Sequence, residues 1–368
     1  MLFIPRRTLH TSRLTQQFRK AVEAEKKRRA TPVKSSGEYR DFERAAAYSK
    51  LNQNAVKFPA ESLNISEANL SSLNTLESGK LVSWPAPVQA RLHHLGTYKP
   101  NQRHELFYKH YSLIRTSTVN MLEKMKLGKS LLLQGDSGVG KSSLLTQAHA
   151  AAMMQGWGCI HISRAEDLID GSSDTVYNQK TKVWDQTMFS ARLWKKVLKS
   201  NKELLADASK PETMTLQGII NVFKAQKLNV LITIDNINAF QYQPYAKNTD
   251  TENVPLYNNV LEVPNTLFKF FVNPTESVCL IGSQAGYFRD IALSGHPDAP
   301  KNHYDPELAA HFKNTDKINV TGFNKAEAET YAAYLHAAGV TEKPWDLLYQ
   351  SGNGNPRTML TTATNFAY

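Results

Sequence analysis

The sequence predicts an α/β fold built on a central five-stranded parallel sheet, and three observations carry that prediction. Short apolar runs alternate with helical stretches from about residue 130 onward. The first of these runs ends in a glycine-rich octet that opens a helix. A later run ends in an aspartate. Strands and helices alternating in this way place helices on both faces of a parallel sheet, with right-handed crossovers.

Taken in order, the chain begins with a basic segment. Of the net charge of +11, residues 1–36 supply +8, from ten basic and two acidic side chains, which leaves +3 for the remainder. A body so close to neutral does not require a phosphate backbone as partner, although local basic patches can still supply a contact. The first twenty residues, MLFIPRRTLHTSRLTQQFRK, contain five basic residues and no acid, and Leu9, Leu14 and Phe18 can share one helical face. This is the composition of a mitochondrial import presequence. A basic tail that touches RNA is the alternative, and residues 19–34 can act as one after processing.

Residues 37–100 are polar and rich in Asn and Ser, with Trp84-Pro85-Ala86-Pro87 expected to be extended because prolines restrict the preceding residue. Leu106, Phe107, Tyr111, Ile114, Val119, Leu122 and Met125 suggest helices between 104 and 126. Strands follow at Ser130–Leu133, Cys159–Ile162, Val230–Ile234, Val278–Ile281 and Ile318–Val320, and a helix at Ser142–Met154. Residues 163–228 read as an insertion, with Trp184, Met188, Ala191, Trp194 and Leu198 as the packed stripe of a helix. Residues 241–263 and 294–317 read as long polar loops suited to docking. Cys159 and Cys279 sit inside apolar runs as buried thiols, and no Cys/His cluster has zinc-ligand spacing. With 41% hydrophobic and 21% charged residues the chain has globular composition. No run approaches the roughly 18 apolar residues of a membrane span.

The octet Gly135-Asp136-Ser137-Gly138-Val139-Gly140-Lys141-Ser142 matches G-x-x-x-x-G-K-[ST] at every fixed position. Its glycines let backbone N–H groups converge on phosphate oxygens. Lys141 can reach the β- and γ-phosphates, the Ser142 hydroxyl can ligate Mg2+, and Ser143 continues the cradle. The helix behind the loop adds about half a positive charge at its N-terminus. The run ending at Asp235 supplies the second element, a carboxylate that holds the metal through water. The next residue is Asn236, where many P-loop ATPases carry a glutamate that activates water. Asparagine cannot accept that proton, so the site is suited to holding a nucleotide more than to hydrolysing it. Asn238 has the same limitation. Ser283 and Gln284 end a strand where a polar side chain faces the γ-phosphate side. Arg357 reads either as a phosphate sensor or as a surface ion pair. The base is not legible: N-K-x-D is absent, and Asn324-Lys325-Ala326-Glu327 is better explained as a helix cap.

The order of these elements resembles an AAA+-type P-loop fold. More narrowly, the chain resembles the death-associated protein 3 family, the GTP-binding proteins of the mitochondrial small ribosomal subunit, and its size and Asn-rich middle look like a fungal member. The resemblance rests on Leu95–Pro100, His104–Phe107, Leu113-Ile114-Arg115, the octet, Ile234–Asn238 and Ile281–Gln284, and covers residues 95–368. It implies a guanine nucleotide (GTP or GDP, with ATP as alternative) and Mg2+ as structural ligands. Ser142 and Asp235 are then the metal ligands, and Asn236, Ser283 and Arg357 join residues 135–143 around the nucleotide. It further implies ribosomal RNA and neighbouring ribosomal proteins as partners, contact toward the large subunit, and no homo-oligomer. The expected divisions are a presequence or basic tail at 1–36, an extended arm at 37–103, a nucleotide-binding core at 104–322 and a helical lid at 323–368. An active remodelling NTPase and a nucleotide-dependent switch are the competing functions for the same site.

Overall fold

Five parallel strands make the central sheet: β1 (Leu131–Gln134), β2 (Gly158–Ile162), β3 (Val230–Ile234), β4 (Val278–Ser283) and β5 (Asp316–Asn319). Their order across the sheet is β5-β1-β4-β3-β2. The chain leaves β1 in one direction and returns beside it later, and in open α/β sheets ligands bind outside the strand ends at such a reversal. The register pairs Ser283 with Leu133 and Gly282 with Ile234. The carboxyl ends of β1, β4 and β3 therefore lie at one edge, and β4 separates the other two.

Because side chains alternate across a strand, runs such as Val278–Ile281 can be wholly apolar only if both faces are covered. Ile160, Ile162, Val230, Ile232, Val278 and Leu280 face one layer, packed with helices α4 (Thr187–Ser200), α5 (Leu216–Ala225) and α6 (Glu262–Val272). Leu131, Leu133, Cys159, Leu231, Cys279 and Ile281 face the other, packed with α1 (Ala86–Leu95), α2 (Thr116–Lys126) and α3 (Lys141–Met154). Helix α3 is buried on nearly all sides, hence its run of alanines. A third cluster joins the strands Leu81–Ser83 and Tyr111–Leu113 to the C-terminal helices α8 (Lys325–Ala337), α9 (Trp345–Gly352) and α10 (Pro356–Thr364). Helix α7 (Pro306–His311) precedes β5.

These elements come from a computed structural model that describes residues 63, 65–69, 77–98, 111–241, 247–248, 254–284, 306–313, 315–338 and 340–364. The expected presequence, Leu106 and Phe107, the matching stretches at 99–100 and 104–107, and much of the two expected polar loops lie outside the described residues. Within the second of those loops, α7 and β5 are described. The first gives way to α6 at Glu262. No helix among the described residues is long and apolar enough to cross a membrane.

Three local expectations are corrected. Trp84-Pro85-Ala86-Pro87 is not extended throughout: Pro85 is the N-cap of α1 and Pro87 lies in its first turn. A first-turn N–H has no intrahelical acceptor, so proline costs little there. Leu92 and Leu95 of α1 are fully buried beside the sheet. Tyr111–Leu113 is a strand, antiparallel to Leu81–Ser83, where a helix was expected. In α4 the buried face is Phe189, Leu193, Trp194 and Val197, whereas Met188 and Leu198 are 52% and 40% exposed. The expected stripe took its phase from Trp184, which lies in a strand (Val183–Asp185) before the helix begins. By contrast, Asn324 does cap α8: its side chain accepts from Glu327 N, and Glu327 accepts from Asn324 N.

Candidate functional site

Strand β1 delivers the chain to the glycine loop, and Val139, 3% exposed, anchors that loop in the core. Two glycines are required by space as well as by backbone angle. Gly135 has φ +138°, and a Cβ there would lie 2.1 Å from Val320 O; at Gly138, φ +86°, it would lie 2.6 Å from Asn355 Oδ1. Helix α3 starts at Lys141 with no side-chain cap. Its first N–H groups are thus left for whatever the loop encloses. The Lys141 ammonium folds back over the loop and donates to the carbonyls of Gly135 (2.6 Å) and Asp136 (2.7 Å).

The second half of the site is a carboxylate network at the ends of β3 and β4. Asp235 is 2% exposed. Ser142 Oγ donates to its Oδ2 at 2.7 Å. The Ser283 hydroxyl and the Asn236 backbone N–H both donate to its Oδ1. A buried carboxylate needs such donors, and the strand order supplies them, since β4 places Ser283 between the loop and Asp235. This donor set of a carboxylate and a hydroxyl suits a hard cation such as Mg2+, and the glycine cradle is one that added side chains would fill. Asn236 has φ +61°, a region asparagine tolerates better than most residues. Its side-chain amide donates to Glu166 Oε1 at 2.8 Å.

The C-terminal helices close over the loop. Asn355 Nδ2 donates to Ser137 O at 2.8 Å, Arg357 N to Gly138 O at 3.3 Å, and Arg357 Nη1 to Ser137 Oγ at 3.1 Å. Arg357 therefore lies exposed against the loop. Gln284 instead straps β1 to β4, accepting from Gln134 Nε2 at 3.2 Å. Asn238 is buried in the 3-10 turn Ile237–Gln241. The residues expected at the site, 135–143, Asp235, Asn236, Ser283 and Arg357, thus converge on one edge of the sheet.

Arg115 was not expected in the site. It is buried, and its guanidinium donates to Val139 O (2.8 Å), Thr321 O (2.8 Å) and Gly322 O (3.0 Å). It also pairs with Glu327 at 3.5 Å and lies 4.8 Å over the Phe323 ring. Burial lowers its pKa from the usual arginine value, partly opposed by Glu327. Beside it is a cavity of about 160 Å3, between Gly140 and Ser143 on the loop side and a wall of Tyr111, Phe323, Tyr331 and Tyr334. Burial raises the pKa of both Tyr331 and Tyr334, so both hydroxyls stay neutral. Aromatic residues at 331 and 334 on one helix face were the available sequence signal; nothing local tied them to the loop.

Sheet order, glycine loop after β1 and carboxylate after β3 define a P-loop NTPase fold of the AAA+-like kind. The family model for mitochondrial ribosomal death-associated protein 3 matches residues 112–216 and 207–362, and the chain belongs to that family. A curated relative, small ribosomal subunit protein mS29 of Neurospora crassa, is 29% identical over 134 residues; the match spans 35% of this chain and 29% of the relative's length. Among solved structures, the Walker-type ATPase of Pyrococcus abyssi is similar at 12% identity and TM-score 0.41, covering 67% of this chain and 65% of that one. AMPPCP-bound DnaA of Aquifex aeolicus is similar at 13% identity and TM-score 0.35, covering 67% and 59%.

Proposed function

We propose that this protein is a component of the mitochondrial small ribosomal subunit, in the matrix, that holds a nucleotide with Mg2+ as a structural ligand and hydrolyses it little. The observation that carries this reading is the network of Asp235 with Ser142 and Ser283, joined to a glycine loop in a chain whose family is ribosomal. The mitochondrial small subunit enters through that family and through the relative's name. Guanine, as GTP or GDP, is the proposed base, with ATP the alternative.

On this reading Lys141 exchanges its two loop carbonyls for phosphate oxygens, and the first N–H groups of α3 face the same phosphates. Ser142 and Asp235 hold Mg2+, which screens the phosphate charge. The aromatic cavity takes the nucleoside end. Arg115 lines the same cavity and fixes the loop against the lid. Asn236, beside Asp235, offers no base to activate water. A ligand that binds only the folded state adds RT ln(1 + [L]/Kd), about 4 kcal/mol at a thousandfold excess over Kd. That is a large share of a typical stability of roughly 5–15 kcal/mol.

Ribosomal RNA and neighbouring ribosomal proteins are the proposed partners, with contact toward the large subunit. Helix α4 supports the RNA contact: Arg192, Lys195, Lys196 and Lys199 fall at i, i+3, i+4 and i+7 on its exposed face, and the helix contains no acid.

The test is to fractionate mitochondrial ribosomes by sedimentation, denature the small-subunit fraction and identify the released nucleotide. Stoichiometric nucleotide carrying one base is expected. Lys141→Ala is expected to lose that nucleotide and to enter the subunit poorly. A ribosome-free protein with a freely exchanging site would overturn the proposal.

A further inference from the structure

Asn236 stands where water activation would require a carboxylate, yet a carboxylate is bonded to it. The turn after β2 carries Glu166, and Ala165 N donates to Asp235 O at 3.0 Å, which fixes this turn against the end of β3. From there Glu166 Oε1 accepts the Asn236 amide at 2.8 Å. The backbone N–H of Asn236 in turn bonds Asp235 Oδ1 at 3.1 Å and Ser283 Oγ at 3.3 Å. Glu166 is therefore one residue removed from the carboxylate network, in the 3-10 turn (Ala165–Leu168) that follows β2, the strand next to β3.

Two features separate this carboxylate from a structural acceptor. Its other oxygen, Oε2, is buried with no hydrogen-bond partner among the described residues, and burying a carboxylate oxygen unpartnered is costly. A glutamine oxygen or a backbone carbonyl would satisfy the Asn236 amide without that cost. Asn236 itself is held at φ +61°, and non-glycine residues in that region concentrate at functional sites.

We propose that Glu166 is the general base for hydrolysis of a nucleoside triphosphate in this site, in place of a carboxylate at position 236. The proposal rests on the nucleotide-binding reading above. In the step, the oxygen of a water molecule attacks the γ-phosphorus while one of its protons passes to the Glu166 carboxylate. The bond from γ-phosphorus to the β–γ bridging oxygen breaks, and its electron pair leaves with the nucleoside diphosphate. The glutamic acid then returns its proton to solvent. The Asn236 amide occupies Oε1, which leaves Oε2 as the oxygen that takes the proton.

The experiment is single-turnover hydrolysis of GTP and of ATP, with Mg2+, by the full chain. Affinity for a non-hydrolysable analogue and the melting temperature are measured on the same samples. Glu166→Gln keeps an oxygen for the Asn236 amide but cannot take a proton. It is expected to slow hydrolysis about 100-fold, the lower range for loss of a general base, with affinity within about twofold, as expected when binding contacts are kept. Glu166→Asp, which keeps a carboxylate, is expected to retain more turnover than Glu166→Gln, and serves alone if the latter does not fold. Equal rates for wild type and Glu166→Gln overturn the proposal, as does a wild-type protein that binds triphosphate without cleaving it; both leave nucleotide binding intact. A wild-type protein that binds neither triphosphate overturns the binding reading and this one together.

Discussion

Replacing Arg115 by alanine should destabilise the loop–lid junction more than any exposed ion pair in the molecule would. The guanidinium satisfies three carbonyls, those of Val139, Thr321 and Gly322, and pairs with Glu327; the two side chains are 8% and 5% exposed. Truncation leaves the Glu327 carboxylate buried with only the α8 cap as partner. Removing one member of a buried pair typically costs about 3–5 kcal/mol, against about 0–1 kcal/mol for a surface pair such as Lys80–Glu77. At roughly 2–3 °C per kcal/mol for a domain of this size, the melting temperature should fall by about 6–15 °C. Arg115→Lys keeps the charge but lacks the planar fork, so most of the loss should persist. Differential scanning calorimetry measures the shift, and hydrogen exchange should rise first in α8 to α10. Adding Glu327→Gln to Arg115→Ala should recover part of the loss, because the orphaned charge is then gone. A melting temperature within 2 °C of wild type, about 1 kcal/mol or less on the same scale, would refute the assignment of Arg115 as the tie between loop and lid.

Three further outcomes are expected. Ser283→Ala removes a donor to Asp235 Oδ1 and should weaken Mg2+-nucleotide affinity about fivefold, the worth of roughly 1 kcal/mol; isothermal titration measures it. Burial pushes the Cys159 and Cys279 thiols up to about 12, so iodoacetamide at pH 8 should leave both unmodified by mass spectrometry until denaturant is added. Burial, reinforced by His161, holds His149 well below the ordinary histidine value of 6.5. The unfolded chain therefore binds more protons at that position below pH 6.5. Stability from this residue is present above pH 6.5 and is lost as pH falls, by up to about 1.4 kcal/mol per unit. His149→Gln should flatten the wild-type fall in melting temperature between pH 7 and pH 5.5.

Asn236 shows how two requirements can meet at one position. The chain must turn there through φ +61°, which asparagine accepts at less cost than glutamate, and a side-chain donor is needed opposite Glu166. Reading the residue as a lost base describes only its own side chain.

The five strands, the glycine loop and Asp235 were legible in the sequence because each is encoded by neighbours in the chain. Apolar runs reveal strands, G-x-x-x-x-G-K-S reveals the tight loop before a helix, and an acid ending a buried run reveals the carboxylate at the strand end. The cap at Asn324 was legible for the same reason. What the sequence did not reveal depends on contacts between distant residues. The strand order inserts β4 between β1 and β3, and only that order brings Ser283 to Asp235. Arg115 meets Thr321 and Glu327 more than 200 residues away, and Glu166 meets Asn236 across 70. Periodicity decides which face a side chain occupies. Which distant group it meets there is decided by how the layers close, and the loop–lid tie and the Glu166–Asn236 pair exist only in the closed fold.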